Sequence, residues 1–259
     1  MAKKPGDTFR EANYTPEMVV IPPGEFMMGA PMNDEESERF ESPQHRVEIA
    51  YPIALGKYAV TFEEFNHFVL VSGYRHEPED NGWGRGKRPV VNVSWEDAQA
   101  YVEWLSAETG GKYRLPSESE WEYACRSGTT TSFYFGEEIQ WDQANYASIS
   151  ADGSVGRGEY RKKTITVGTF PANGFGLHEM HGNVSEWVAD CWNESYEGAP
   201  QDGSTWLSGD CSFRVLRGGS WFFRPWGLRS SVRLRYNADF RSHFFGFRVA
   251  QTLDTNLHK

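Results

Sequence analysis

Three helix starts in the first half of the chain constrain its fold more than any other sequence feature. Each begins with a Ser or Thr that is followed three residues later by a carboxylate: Thr61–Glu64, Ser94–Asp97 and Ser117–Glu120. In this capping-box pattern the two side chains satisfy unpaired amides of the first helical turn. Apolar residues follow each start at helical spacing, and the glycines of Gly110–Gly111 and Gly128 predict where the second and third helices end.

Short strands are predicted on the N-terminal side of these helices. Glu17–Gly29 has the pattern of two strands joined at a Pro-Pro-Gly turn, and His45–Ala50 alternates like a half-buried strand. After residue 128 the periodicity gives way to Gly, Asn, Asp and aromatic residues, which indicates brief strands and loops.

The chain contains no linker, charge block or internal repeat that would divide it. We therefore predict an α+β fold: a single irregular domain at residues 17–251, with short mixed sheets, about three helices and much loop. Residues 1–16 are expected to form a polar N-terminal arm, and residues 252–259 a C-terminal tail. Ten Trp residues suit such a fold, because large aromatic side chains fill space between loops.

The formal net charge of −10 argues against nucleic-acid binding, which favours a basic surface. No apolar run reaches transmembrane length, so no membrane span is expected. The N-terminus has lysines but no apolar signal segment after them, which predicts a cytoplasmic protein as the sequence stands and leaves an exported mature form open. We expect a monomer.

Three cysteines are too few for a disulfide scaffold. Cys125 lies in a helical pattern and is expected to be a small buried residue. Cys191 and Cys211 flank a loop rich in Gly, Ser, Pro and Asp, and they are either bridged or free. A bridge closing a loop of this size would stabilise the fold by about 3 kcal/mol. Neither has another Cys or His at metal-ligand spacing, so a metal pair is disfavoured.

Histidines and glycines give weak functional signals. His178 and His181 are close, but an iron or zinc site would need a third ligand such as Glu179, and we expect His181 to be structural. The Gly-rich segment Asn81–Gly86 lacks the Gly-Lys-Ser/Thr ending of a phosphate loop and is expected to be a surface loop. No Gly-x-Ser-x-Gly elbow of a serine hydrolase occurs.

The C-terminal part carries Arg217-Gly-Gly-Ser-Trp221, Arg229-Ser-Ser-Val-Arg233 and Phe245-Gly-Phe-Arg248. Together with earlier blocks such as Met18-Val-Val-Ile-Pro-Pro-Gly24 and Gly182-Asn-Val-Ser-Glu-Trp187, these motifs resemble the formylglycine-generating enzyme family, also called the sulfatase-modifying-factor domain. The resemblance runs from about Met18 to Ala250 and implies an elaborated C-type-lectin-like fold.

Copper chemistry is not expected from this member of the family. The resemblance places two Cu(I)-binding cysteines after the Gly-Gly-Ser-aromatic turn, but this chain has Phe223 at the first position and the shortened segment Arg224–Leu228 at the second. Without these thiolates we do not expect copper-dependent formylglycine generation, whereas an iron site remains an open alternative.

A calcium site is predicted at Glu179–Glu186, where two carboxylates bracket a Gly-containing turn that exposes carbonyl oxygens. The family resemblance implies as ligands Glu179, Gly182, Val184 and Glu186. It also implies a second site beginning at Asn145 and the carbonyl of Tyr146, for which Asp152 and Glu159 are the nearest acids. The alternative for Glu186 is an ion-paired structural acid beside a core aromatic.

The segment between Trp221 and Phe245 is the predicted binding surface, because Arg and aromatic side chains dominate binding hot spots. Its expected ligand-facing residues are Trp221, Phe222, Phe223, Arg224, Trp226, Tyr236, Asn237, Phe240, Ser242, His243 and Phe244. Arg229, Arg233 and Arg248 are instead expected to pair with buried acids such as Glu122 and Glu186. Residues 222–245 contain no Lys, Glu, Gln or Met, which also resembles the diversified proteins of diversity-generating retroelements.

Two functions follow. The first is a noncatalytic module that binds an unknown protein or peptide ligand through this segment, with a diversified protein as one form of it. The alternative is a cysteine-independent oxidoreductase, as the family's relatives in ergothioneine-type sulfoxide synthesis and siderophore maturation imply.

Overall fold

The computed structural model describes residues 3–149 and 160–253, and it contains the three predicted helices. They span Phe62–Ser72 (α1), Trp95–Thr109 (α2) and Glu118–Arg126 (α3), and each is preceded by its predicted capping residue. The Thr61, Ser94 and Ser117 hydroxyls accept hydrogen bonds from the amides three residues later, at 3.3, 3.1 and 3.1 Å. These helix starts are therefore set by local sequence, as capping boxes predict.

The strands form three small sheets. A five-stranded sheet has the order β1-β2-β5-β11-β6, a four-stranded sheet the order β10-β7-β8-β9, and β3 pairs with β4. Among the strand pairs of the described residues, β10 and β7 alone are parallel. The strands span Thr8–Phe9 (β1), Met18–Ile21 (β2), Gly24–Met28 (β3), His45–Ile49 (β4), Ile53–Gly56 (β5), Tyr113–Arg114 (β6), Ser185–Trp192 (β7), Asp210–Arg217 (β8), Arg233–Asn237 (β9), Phe245–Phe247 (β10) and Ala250–Thr252 (β11). The predicted α+β class with short mixed sheets is confirmed.

Parts of the expected arm and tail contact the domain. Within the expected arm, β1 pairs with β2 and the Tyr14 ring stacks on His67 at a centroid distance of 4.2 Å, so this segment lies against the domain. Thr252 belongs to β11, which joins β5 to β6. Residues 254–259 of the expected tail lie outside the described part of the chain.

Buried arginines connect helices, strands and loops through ion pairs in the core. Arg248 and Glu186 form two hydrogen bonds of 2.7 Å, and Arg233 contacts Glu118 at 2.6 and 2.9 Å. Arg229 pairs with Glu41, an acid that the sequence did not suggest. The prediction that these three arginines hold the framework through buried acids is confirmed. Glu122, however, binds two other arginines, Arg126 and Arg217.

Cys191 and Cys211 are bridged, with their Cα atoms 4.4 Å apart, so the disulfide alternative is the observed one. Cys125 is a buried free thiol, as expected, and its burial raises the pKa of the thiol to about 12. Within residues 3–149 and 160–253, no helix combines the length and apolarity needed to cross a membrane.

Candidate functional site

The predicted binding segment is divided among three surfaces. One surrounds Trp221, a second contains Tyr236 and Phe240, and the third contains Phe223 and Trp226. Six of the predicted residues are exposed: Phe222, Arg224, Trp226, Tyr236, Asn237 and Phe240. Phe223, Ser242, His243 and Phe244 are half-buried. The buried Phe245 ring lies between the first two surfaces, 6.5 Å from Phe244 and 4.7 Å from Tyr236.

The surface around Trp221 has the densest aromatic packing, and we call it the Trp221 cluster. The Trp221 side chain is 7% exposed and forms its floor. The rings of Phe222, His243 and Phe244 lie 5.7, 5.8 and 5.5 Å from it. The remaining members, Trp83 and Tyr160, approach at 5.4 Å edge-on and at 6.4 Å nearly parallel.

Backbone contacts fix the floor of the cluster. The Trp221 amide donates to the Asn183 carbonyl at 3.1 Å, and its indole N–H donates to the His243 carbonyl at 3.3 Å. The preceding turn requires glycine at residue 219, because its φ is +66° and a Cβ there would lie 2.5 Å from the Gly227 carbonyl oxygen. The Gly-Gly-Ser-Trp motif thus positions the indole.

An ion pair holds the loop that carries His243 and Phe244. The Arg241 guanidinium donates two hydrogen bonds of 2.7 and 2.8 Å to Asp97, in the first turn of α2. Burial alone would raise the pKa of Asp97, but the bonds from Arg241 and the Ser94 amide outweigh it and lower the pKa. Asp97 therefore stays charged, and it anchors the loop.

His243 presents a neutral ring to the cluster near neutral pH, because partial burial lowers the pKa of its imidazole. Its ring lies 3.9 Å from Phe244 and 5.9 Å from Trp83. The cluster consequently offers aromatic faces and edges, with one polar ring among them.

Sequence reasoning missed two members, Trp83 and Tyr160. Trp83 lies on the Gly-rich loop expected to be a plain surface loop, where Asn81, Gly82, Gly84 and Gly86 all have positive φ. A large aromatic residue among such permissive positions was the available signal. For Tyr160 no sequence signal was present, since it is brought to Trp221 only by the fold.

The second and third surfaces are smaller. Tyr236 and Phe240 stack on each other at 5.2 Å, and both rings lie near Phe245. Phe223 packs against an apolar cluster that includes Leu228. Trp226 borders a cavity of about 290 Å³. Phe223 therefore has a mainly structural environment in this structure.

The carboxylates expected at the first calcium site contact protein groups. Glu186 accepts hydrogen bonds from Arg248 and, at 2.7 Å, from the Trp121 indole. Glu179 accepts from the amides of Gly168 and Phe170 at 2.9 and 3.1 Å, and burial raises the pKa of its carboxyl group.

The turn between these two acids is tightly packed. Gly182 has φ of +81°, and a Cβ there would lie 2.4 Å from the Asn145 carbonyl oxygen. The Gly182 carbonyl accepts from the Val184 amide at 2.8 Å. Within the described part of the chain, no group of three or more His, Cys, Asp or Glu side chains is placed to hold a metal. The environment of Glu186 matches the alternative of an ion-paired structural acid, and calcium at this first site stays a prediction.

The second expected site contains a buried side-chain oxygen without a hydrogen-bond partner among the described residues. Asn145 is fully buried, and its amide nitrogen donates to the Lys163 carbonyl at 2.9 Å and to the Asn183 side chain at 3.1 Å. Its side-chain oxygen has no hydrogen-bond partner among the described residues. Such an oxygen suits a hard cation such as Ca²⁺. Asp152 and Glu159, the acids expected here, lie outside the described residues.

The two close histidines are engaged by the backbone. A ring nitrogen of His178 lies 2.8 Å from the Phe170 carbonyl oxygen. His181 contacts the Leu228 carbonyl at 2.7 Å and accepts from the Tyr134 amide at 3.2 Å. Complete burial lowers the pKa of His181 to about 3. The expectation of a structural His181 agrees with this environment.

Comparisons with known proteins match this fold over nearly the whole chain. The family model described as "Sulfatase-modifying factor enzyme 1-like domain" matches residues 4–253. The structure of PvdO from Pseudomonas aeruginosa is 37% identical, with a TM-score of 0.85 over 97% of this chain and 100% of that chain. Treponema denticola variable protein 1 is 25% identical, with a TM-score of 0.74 over 95% and 98% of the two chains.

Two curated relatives are similar in sequence. Serine/threonine-protein kinase pkn1 of Chlamydia pneumoniae is 34% identical over 92% of this chain, which spans only 38% of that relative's length. Inactive C-alpha-formylglycine-generating enzyme 2 of Bos taurus is 30% identical over 91% of this chain and 88% of its own.

Proposed function

Because the chain belongs to the sulfatase-modifying factor enzyme 1-like domain family, we propose that it uses this C-type-lectin-like fold as a noncatalytic binding module. Its ligand, a protein, peptide or smaller molecule, binds at the Trp221 cluster. The observation that carries the proposal is the convergence of six rings from four separate parts of the chain on one partly exposed surface.

The state of the thiols supports a noncatalytic role. Phe223 stands where the resemblance expects the first copper cysteine, and it packs against apolar side chains. Of the three cysteines, Cys191 and Cys211 are bridged. Cys125 is buried with a raised pKa, and a thiol rather than a thiolate is a poor metal ligand.

The exposure of the rings supports binding. Phe222 is 53% exposed on a floor formed by Trp221, so a ligand can stack on it without unfolding the loop. Aromatic anchors on a rigid frame lose little conformational entropy when they bind. The relatives' names agree with this reading: the bovine relative is called inactive, and the Treponema neighbour is called a variable protein.

The test uses naphthalen-2-ylmethanol, a neutral ring probe, and the indole N–H signals of the tryptophans in two-dimensional NMR spectra. Shifts should be largest for Trp83 and Trp221. Phe222→Ala should weaken binding about fivefold, since an aromatic pair contributes about 1 kcal/mol. Phe240→Ala is the matched control, because Phe240 is 45% exposed on the second surface. Shifts confined to Trp226, or a larger effect of Phe240→Ala, would contradict the assignment.

We also propose a structural Ca²⁺ at Asn145 and Tyr146. The fully buried side-chain oxygen of Asn145, which has no hydrogen-bond partner among the described residues, supports it. Ca²⁺ bound there would take this oxygen as a ligand and stabilise the loop.

A further inference from the structure

Cations collect beside the Trp221 cluster on two neighbouring segments. Lys87 and Arg88 lie on the first, directly after the Gly-rich loop, and Lys162 and Lys163 lie on the second. The segments are joined, because the Val167 amide donates to the Lys87 carbonyl at 3.0 Å and the Arg88 guanidinium donates to the Thr164 carbonyl. A protein with a net charge of −10 thus has a local basic edge.

These four cations differ from the framework arginines in their partners. Arg217, Arg233 and Arg248 are buried and neutralised by Glu122, Glu118 and Glu186. In residues 3–149 and 160–253, by contrast, no carboxylate pairs with the charges at 87, 88, 162 and 163. Unneutralised cations at one edge create a field that attracts anions.

The basic edge reaches the rings directly. The Lys162 ammonium lies 5.8 Å from the Tyr160 ring centroid, and that ring lies 6.4 Å from Trp221. The Arg88 Nε lies 4.0 Å from the position that a Cβ would take at Gly84, next to Trp83. Each of these distances is about the length of one substituted aromatic ring. A small molecule that contacts Trp221 can therefore also reach Lys162 and Arg88.

Acids border the opposite end of the Gly-rich loop. Asp80 accepts the Gly82 amide at 2.9 Å, and Glu77 lies 3.8 Å from Arg85. Both are therefore partly occupied by the loop itself. The Gly-rich loop therefore has acids before it and Lys87 and Arg88 directly after it.

We propose that the Trp221 cluster takes a small anionic aromatic molecule, with its ring against Trp221 and Phe222 and its carboxylate or similar group toward Lys162 and Arg88. The ring supplies the buried area, and the anion supplies orientation through its attraction to Lys162 and Arg88. This inference rests on the proposed binding function and adds the chemical class of the ligand.

The experiment compares three probes that share one ring: naphthalene-2-carboxylate, naphthalen-2-ylmethanol and naphthalen-2-ylmethylammonium. Their dissociation constants are measured on the full chain by equilibrium dialysis at low and high salt. The carboxylate should bind about tenfold more tightly than the alcohol at low salt, and the ammonium more weakly than either. The preference should shrink at high salt, since exposed charges are screened.

The double variant Lys162→Gln/Lys163→Gln should remove most of the preference for the carboxylate and leave the affinity for the alcohol unchanged. Lys3→Gln/Lys4→Gln is the matched control, at the far N-terminal end of the sequence, and should change neither. Equal affinities for the three probes, or tighter binding of the ammonium, would overturn the ligand class but not the binding surface. If the alcohol also fails to bind, the proposed function itself is refuted.

Discussion

Replacing Glu186 by Gln removes one charge from the buried pair that joins two strands of the four-stranded sheet. Glu186 lies on β7 opposite Gly246 of β10, and Arg248 follows β10 directly. Both side chains are almost fully buried, at 2% and 0% exposure. The carboxylate accepts two bonds from Arg248 and one from the Trp121 indole, whereas Gln can accept with one oxygen only.

The variant should lose about 3–5 kcal/mol of unfolding free energy, because breaking a buried pair leaves an uncompensated guanidinium. The Arg248→Met variant should lose a similar amount. The double variant should lose about 1–3 kcal/mol less unfolding free energy than the sum of the two single losses, since neither buried charge is then left without a partner.

The assay is urea denaturation followed by tryptophan fluorescence, with the four proteins compared at one pH and with checks that the slope with denaturant is unchanged. Additive losses would refute the pairing argument. A second arm repeats the series with a calcium chelator. If chelation destabilises the natural protein strongly and Glu186→Gln not at all, Glu186 binds Ca²⁺ and its assignment as a structural acid is wrong.

Three further predictions concern His181, the disulfide and the proposed calcium site. The pKa of His181 is lowered from 6.5 to about 3, so the unfolded chain binds the extra proton, and stability should fall as pH drops from 6.5 toward 3. Between pH 6.5 and 5 this loss of unfolding free energy is about 2 kcal/mol. Urea denaturation of the His181→Gln variant over the same pH range should show no such loss. Replacing both Cys191 and Cys211 by Ser should lower the unfolding free energy by about 3 kcal/mol, measured against reduced natural protein as a control, in which the loss should already be present. Calcium titration of chelator-treated protein should raise the melting temperature, and Asn145→Ala should abolish the rise; a rise that survives this variant contradicts the site.

Much of the secondary structure could be predicted because its causes are local. A hydroxyl at Ser94 and a carboxylate at Asp97 are enough to start α2, and Gly110, with φ of +73°, is enough to end it. Two cysteines flanking one loop made a bridge an obvious alternative. The ordered motifs of the C-terminal part identified the family and hence the fold.

The site could be predicted only in part, because ring contacts depend on chain segments far apart in sequence. Trp221 and His243, both predicted here, lie 5.8 Å apart, whereas Phe223 packs in an apolar cluster with Leu228 and Tyr236 stacks on Phe240. Their positions depend on the path of loops whose sequence has neither helical nor strand periodicity.

The sequence by itself determined the helix boundaries, the family and the richness of its C-terminal segment in arginine and aromatic residues. Only the tertiary structure decided which acid each buried arginine binds and that Trp83 and Tyr160 join Trp221. The physical reason is range: a cap acts over three residues, whereas a pair such as Arg229 and Glu41 forms only when the whole core brings both charges out of water together.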